Sequence, residues 1–374
     1  MKRSVCLLFL IVFAGCQEST NNGAREAGNP ASRVIPELLP SPDEPDNAEA
    51  VAALEAAGAQ FKRNGDGNIL EVNLRETTAG DDALIHVAAL KRVSSVLLND
   101  LDVSDAGLKN LAGTESPLVN LDLRGCPVGN DGMEHIKGLT SLKALRLNGT
   151  SGATTVDDDG VAHLAGLVNL KVLALDGLWV SEVGLEPLDK LVKLEELYMK
   201  TTTISDDGIK LFSRYPALKK VRLAFNQISN DGIAHLAELK TIEELDLSEN
   251  AQISDAGMVH LAGLSNLKKL NLWRVAVSDS GVENLAGLTT LEWLNLDNTQ
   301  LSDGGLPSLK NLNQLTFLHL GSTTVSDNGL KDLEDLTALK DLKVTRTAVT
   351  ETGVSLLQQK LPNTNIQLLY VEGQ

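Results

Sequence analysis

Residues 277–288 read VSDSGVENLAGL, and nearly the same words stand at 253–264 (ISDAGMVHLAGL), 325–336 (VSDNGLKDLEDL) and 103–113 (VSDAGLKNLAG). In each copy Ser and Asp immediately precede an apolar run with helical spacing. That is a helix-start signal, because their oxygens accept orphan amides of the first turn. The Asp also suits the positive end of a helix. Upstream of each copy lies L-x-x-L-x-L, whose closing alternation fits a short strand with its leucines facing inward.

Aligned on that pattern, the chain falls into twelve units starting at 69, 93, 118, 142, 170, 194, 218, 242, 267, 291, 315 and 339. Nearly all starts are 24 or 25 residues apart; the unit at 142 is longer by four, from an insertion within NGTSGATTVDD (148–158). Slots one, four and six are apolar throughout, as at Leu291, Leu294 and Leu296. Slot nine is mostly Thr or Asn (Thr77, Thr202, Asn226, Asn250, Thr299, Thr323, Thr347), a polar residue expected to bond backbone groups of the next coil. A Gly stands two residues after the capping position in eleven units, with Ala83 in the twelfth, which lets one helix start lie close to its neighbour. A single unit cannot bury its own apolar face, so the units must stack and share strand hydrogen bonds.

The pattern resembles the leucine-rich-repeat family over about 69–366. Its S-D-x-G-L helix start is similar to the subtype found in F-box leucine-rich proteins and in bacterial envelope proteins. The resemblance implies an α/β right-handed solenoid, a horseshoe with a parallel β-sheet on the concave face and short helices on the convex face. Expected caps are an N-terminal one over 48–68, with Val51, Leu54 and Ala57 on one helix side and a turn at NGDGN (64–68), and a closing strand over 366–374 beyond repeats ending at 365.

The N-terminus reads differently. Lys2 and Arg3 precede the apolar run VCLLFLIVFA (5–14), then Gly15 and Cys16. Charged start, apolar stretch and small-residue site make residues 1–15 a signal peptide, since a bilayer span needs about 20 residues. FAGC (13–16) resembles the lipobox of bacterial lipoproteins, with Phe13 where Leu is usual. The resemblance implies lipidation at Cys16 and a membrane anchor; Gln17 there goes with outer-membrane sorting. Residues 16–47 hold five of the eleven prolines among Gly, Asn, Ser and acids, which makes them a disordered tether. Of three cysteines only Cys126 remains in the folded part, so no disulfide framework is possible within it.

The formal charge of −17 argues against nucleic acid, whose phosphates need a basic patch. Five histidines share one helical slot (His86, His135, His163, His235, His260), and two pairs fall in adjacent units. Metal binding competes here with a polar filler; Asn110, Asn284 and Ser308 in the same slot favour filler. The row Asp81, Asp105, Asp158, Asp206, Asp255, Asp279, Asp303 and Asp327 is accounted for by helix capping ahead of calcium. Cys126 stands at slot nine, a buried thiol rather than a nucleophile. With no phosphate loop, H-E-x-x-H or G-x-S-x-G, no cofactor, metal or catalytic residue is expected.

The concave face remains. Outward slots three, five and seven hold Tyr198, Asn271, Trp273, Trp293, Asn295, Phe317 and His319, with Arg274 and Asp297 beside them. Aromatics with Arg have the composition of an interface hot spot; the competing reading, strand-forming aromatics that merely cover the trough, stays open here. The N-terminal half of the face is small and charged (Asn73, Asp122, Arg146, Ala174). The resulting expectation is a monomeric, non-enzymatic protein-recognition module, exported and lipid-anchored to the cell envelope. Its alternatives are an architectural or glycan-binding envelope component and, from repeat similarity alone, a substrate-recognition subunit of a ubiquitin ligase.

Overall fold

The computed structural model describes residues 45–369. The signal peptide, Cys16 and all but the end of the tether lie outside the described residues, as do 370–374. Among the described residues fourteen strands form one sheet in strict sequence order. The first, Gln60–Arg63, pairs antiparallel with Ile69–Asn73, and every later neighbour is parallel as far as Asn365–Gln367. Each unit is thus one coil, and equal slots fall side by side: Leu270, Leu294, Leu318 and Leu342 form one register line. All four are fully buried.

The convex layer is helical but not uniformly α. Several coils pass from a short α-turn into a 3₁₀ turn, and Asp303–Leu309 and Gly329–Leu333 are 3₁₀ altogether. Apolar residues every three positions, as at Leu306, Leu309 and Leu312, suit the 3₁₀ period, and the same spacing at Met258, Leu261 and Leu264 accompanies an α-helix.

At the N-terminal end helix Ala48–Ala56 buries Ala50 and Leu54 on the first coil, with Val51 and Ala57 half-buried beside them. Its start is capped by Asn47, whose Oδ1 accepts from the Ala50 amide at 3.0 Å. The cap's antiparallel strand carries Lys62 and Arg63, charges that blunt the exposed sheet edge. At the other end the last described strand is Asn365–Gln367, which starts one residue before the expected 366–374.

In the Ser-Asp-x-Gly words the serine does the expected capping, but the aspartate has another role. Ser278 is the N-cap, accepting from the Ser280 amide. The carboxylates instead reach across to the following coil. Ser278 donates its N–H and its hydroxyl to the two oxygens of Asp255 in the coil before, at 2.7 and 2.5 Å. The same two-point staple joins Ser104 to Asp81, Ser181 to Asp158, Ser302 to Asp279 and Ser326 to Asp303. Glycine is required because that carboxylate lies over it: a Cβ on Gly281 would fall on Asp255 Oδ1. Sequence position could not show this, because the partner is 23 residues away.

Slot nine meets the expectation in its asparagines and departs from it in its threonines. Threonines there close their own coil, as Thr299 and Thr323 donate to Leu296 O and Leu320 O at 2.7 and 2.6 Å. The asparagines reach across coils as well. Asn226 Nδ2 donates to Met199 O and Leu223 O, and Asn250 Nδ2 to Leu223 O and Leu247 O. Cys126 shares this slot, fully buried, its thiol donating to Leu98 O at 3.1 Å and pushed up to about 11 by burial. That thiol is protonated at neutral pH.

Slot eight is where the chain leaves the strand, and its backbone is left-handed in coil after coil. Among the described residues nine such positions are not glycine: Glu76, Asp100, Thr201, Phe225, Glu249, Arg274, Asn298, Ser322 and Arg346. Cross-coil bonds hold them there, as the amides of Thr201, Phe225 and Asn298 donate to Ala224 O, Ser248 O and Gly321 O.

One staple carries a pH signature. Thr350 donates its N–H and hydroxyl to Asp327 at 2.8 and 2.7 Å, and these bonds, the backbone one first, hold that carboxyl below its ordinary value. A depressed carboxylate adds stability above the unfolded value of 3.8 and loses it as the pH falls through the folded value. Changing Thr350 to Val should therefore lower the melting temperature near neutral pH, and the gap from wild type should narrow below pH 3.8. A gap that stays constant down to that range would contradict the assignment.

Candidate functional site

Strands Lys269–Asn271, Trp293–Asn295, Phe317–His319 and Asp341–Lys343 lie side by side in register. Slot three therefore runs Lys269, Trp293, Phe317, Asp341, and slot five Asn271, Asn295, His319, Lys343. Because Trp293 and Phe317 occupy the same slot of adjacent coils, their rings stack, with centroids 4.9 Å apart and planes 5° from parallel. His319 meets the Phe317 ring edge-on at 6.3 Å, and Lys343 lies 6.0 Å from the same ring. Burial and the nearby Lys343 lower the His319 pKa, partly offset by Asp297, so the imidazole stays uncharged at neutral pH. The result is a half-buried aromatic shelf on the concave face.

Upstream of the shelf the same slots are charged. Lys220 bridges Glu196 at 3.1 Å and Glu244 at 3.8 Å, while Lys269 reaches Glu244 at 3.2 Å. One slot earlier a second row alternates in the same way, with Lys171 and Lys219 on Glu195 and Lys268 on Glu243. Pairs this exposed contribute little each, but the two rows cover the sheet with near-neutral charge. This Lys/Glu alternation is present in the sequence at slots two and three, where a reading centred on aromatics misses it.

Tyr198 begins the feature. Its hydroxyl donates to Glu196 Oε2 at 2.7 Å, and the Arg222 guanidinium lies 4.8 Å over its ring. Burial first, and the Glu196 bond second, raise its pKa, so it remains neutral. Arg222 is itself fixed by an ion pair to Asp176 at 2.7 Å. Between Arg222 and the Trp293 indole lies an open depression of about 310 Å³, lined also by Lys220, Glu244, Lys269 and Asn271.

The sequence-predicted set is thus split. Trp293, Phe317 and His319 come together, and Asn271 and Tyr198 join Trp293 around the depression. Trp273 lies outside the Trp293–Phe317 stack. It lies at slot seven, beyond the strand end, where its ring faces Arg274 at 5.5 Å and its amide donates to Asn271 Oδ1 at 3.2 Å. Arg274 turns to the rim with φ 56° and pairs with Glu249 at 2.8 Å. Asn295 uses its Oδ1 on the Asp297 amide at 2.9 Å, a local turn bond.

Among the described residues no three His, Cys, Asp or Glu side chains cluster as metal ligands, and no helix is long and apolar enough to cross a membrane.

Leucine-rich-repeat models match residues 116–136, 216–237, 238–262 and 290–312. No curated protein matches the sequence. Among solved structures, an internalin (InlF) of Listeria monocytogenes is 20% identical with a TM-score of 0.62, covering 86% of this chain and 94% of its own. Internalin C2 of the same organism is 26% identical over 56% of this chain and 83% of its own, at a TM-score of 0.44. The plant peptide hormone receptor RGFR1, solved in complex with RGF2, is 16% identical over 83% of this chain and 59% of its own, at 0.47. The likeness to InlF is one of fold: an open leucine-rich-repeat solenoid.

Proposed function

Taking as premise a chain whose coils are leucine-rich repeats, we propose that it is a non-enzymatic recognition module, displayed on the cell envelope through a lipid on Cys16, that binds a protein on its concave sheet. The observation that carries this is the depression between the fixed Arg222 guanidinium and the Trp293–Phe317 shelf. It joins a rigid aromatic surface, a preorganised cation and paired charges on one open face, the make-up of an interface centre rather than of a catalytic cleft. A trough open along its length offers no water-excluded pocket in which convergent groups could act on a bound substrate.

Truncating hot-spot residues costs about 2 kcal/mol or more. The Trp293→Ala, Phe317→Ala double variant should therefore bind its partner at least roughly thirtyfold more weakly with an unchanged circular dichroism spectrum. Trp273→Ala should have a smaller effect. Partner capture from envelope extracts, followed by titration of the captured protein, gives the measurement. Retained affinity in the double variant, or loss of its fold, would remove the basis for the site. Mass spectrometry of the mature N-terminus tests the anchor, which requires acyl chains on Cys16.

A further inference from the structure

The rim that follows the strands holds a second feature, apart from the concave depression. Trp179, at slot ten of the coil starting at 170, is 79% exposed. Two coils on, Phe225 is 55% exposed and held at φ 54°. A bulky residue in the left-handed region costs about 1–2 kcal/mol, and this ring recovers little of that through burial. Thr201, at φ 56°, stands in the coil between them. Beside the indole is a shallow depression of about 240 Å³, lined by Gly177, Leu178 and Thr201 to Thr203. The four-residue insertion borders it: Asp157 pairs with Trp179 in a parallel bridge, and Thr150 to Gly152 are exposed.

The charge around this patch decides what it fits. The stretches 155–160, 179–184, 203–208 and 227–232 contain seven carboxylates, from Asp157 to Asp231, and no Lys or Arg. Staples hold several of them in place, Ser181 on Asp158 and Ser229 on Asp206. Lys200, exposed at slot seven, directly precedes Thr201 in the chain, and Lys210 is paired with Asp207.

We infer that this rim docks a basic protein segment, with an arginine or lysine head over the Trp179 indole and the apolar part of the segment against Phe225. Cation–π contact on a Trp contributes about 0.5–2 kcal/mol, and the surrounding carboxylates add a salt-sensitive attraction.

The test uses the full chain in detergent and a labelled ten-residue peptide of alternating Arg and Ala, read by fluorescence anisotropy. An alternating Glu and Ala peptide is the control. The basic peptide should bind, more weakly as salt rises, and the acidic one should not. Trp179→Ala should weaken binding roughly tenfold, with an unchanged melting temperature because the side chain is exposed. Trp293→Ala should leave it as in wild type, which separates this surface from the concave one. Equal binding by wild type and Trp179→Ala would show attraction by charge alone and overturn the inference. So would no binding of the basic peptide, or a neutral oligosaccharide captured through Trp179 in its place.

Discussion

Replacing Gly281 by Ala should destabilise the array by about 2–4 kcal/mol. The added Cβ falls on Asp255 Oδ1 and against the Val277 side chain, so the carboxylate must leave. Overpacking of this kind costs about 1–3 kcal/mol. Ser278 then loses the acceptor of both its N–H and its hydroxyl, bonds to a charged group that contribute about 1.5–3 kcal/mol each when intact. Relaxation keeps the total below the simple sum. Urea denaturation gives the loss directly, and a double-mutant cycle gives the cause. In Asp255→Ala the carboxylate clash is gone and the Val277 contact remains, so Gly281→Ala should cost clearly less there than in wild type. Strict additivity of the two changes would show that the Asp255 carboxylate is not what requires the glycine.

The second large effect is expected at Asn250. Its side chain is fully buried and serves two coils at once. Nδ2 donates to Leu223 O and Leu247 O, each at 2.9 Å, and Oδ1 accepts from the Asn226 and Ile228 amides at 3.2 Å. Asn250→Ala leaves these backbone groups without their partner in an apolar interior. At about 1–3 kcal/mol for each buried unsatisfied group, and with water entering part of the space, a loss of about 3 kcal/mol is expected. Asn250→Thr should recover part of it, because threonines at slot nine elsewhere still satisfy their own coil, as Thr299 does with Leu296 O. Thermal melts of the three proteins should rank Asn, then Thr, then Ala. A threonine variant no better than alanine would argue that shape, not hydrogen bonding, holds this position.

The two sites show where reading the chain succeeds and where it stops. Period and slot are local properties, so the coils and the inward leucines could be read from spacing, while the parallel sheet came from the family resemblance. The aspartate staples could not, because the same Ser-Asp pair satisfies a local capping rule while its carboxylate serves a residue 23 positions on. Shared slot number predicts a stack, and Trp293 and Phe317 obey it. Trp273 fails because slot seven lies where the strand has ended and the chain turns outward. Tyr198 is four strands from Trp293, so the two meet only across the depression, as opposite sides of it. Trp179 is not legible from the strand slots, because slot ten lies outside the three, five and seven that face the trough.

The left-handed residue at the strand exit has a further consequence. Neighbouring coils dictate its backbone, while its side chain follows no common chemistry, with acid, base, amide, hydroxyl and phenyl all occurring there. The chain therefore presents a line of letters about 4.8 Å apart whose side chains vary while the backbone that carries them stays the same. Such a line lets target preference drift faster than architecture, and it marks where a designer could graft new specificity with the least risk to the whole.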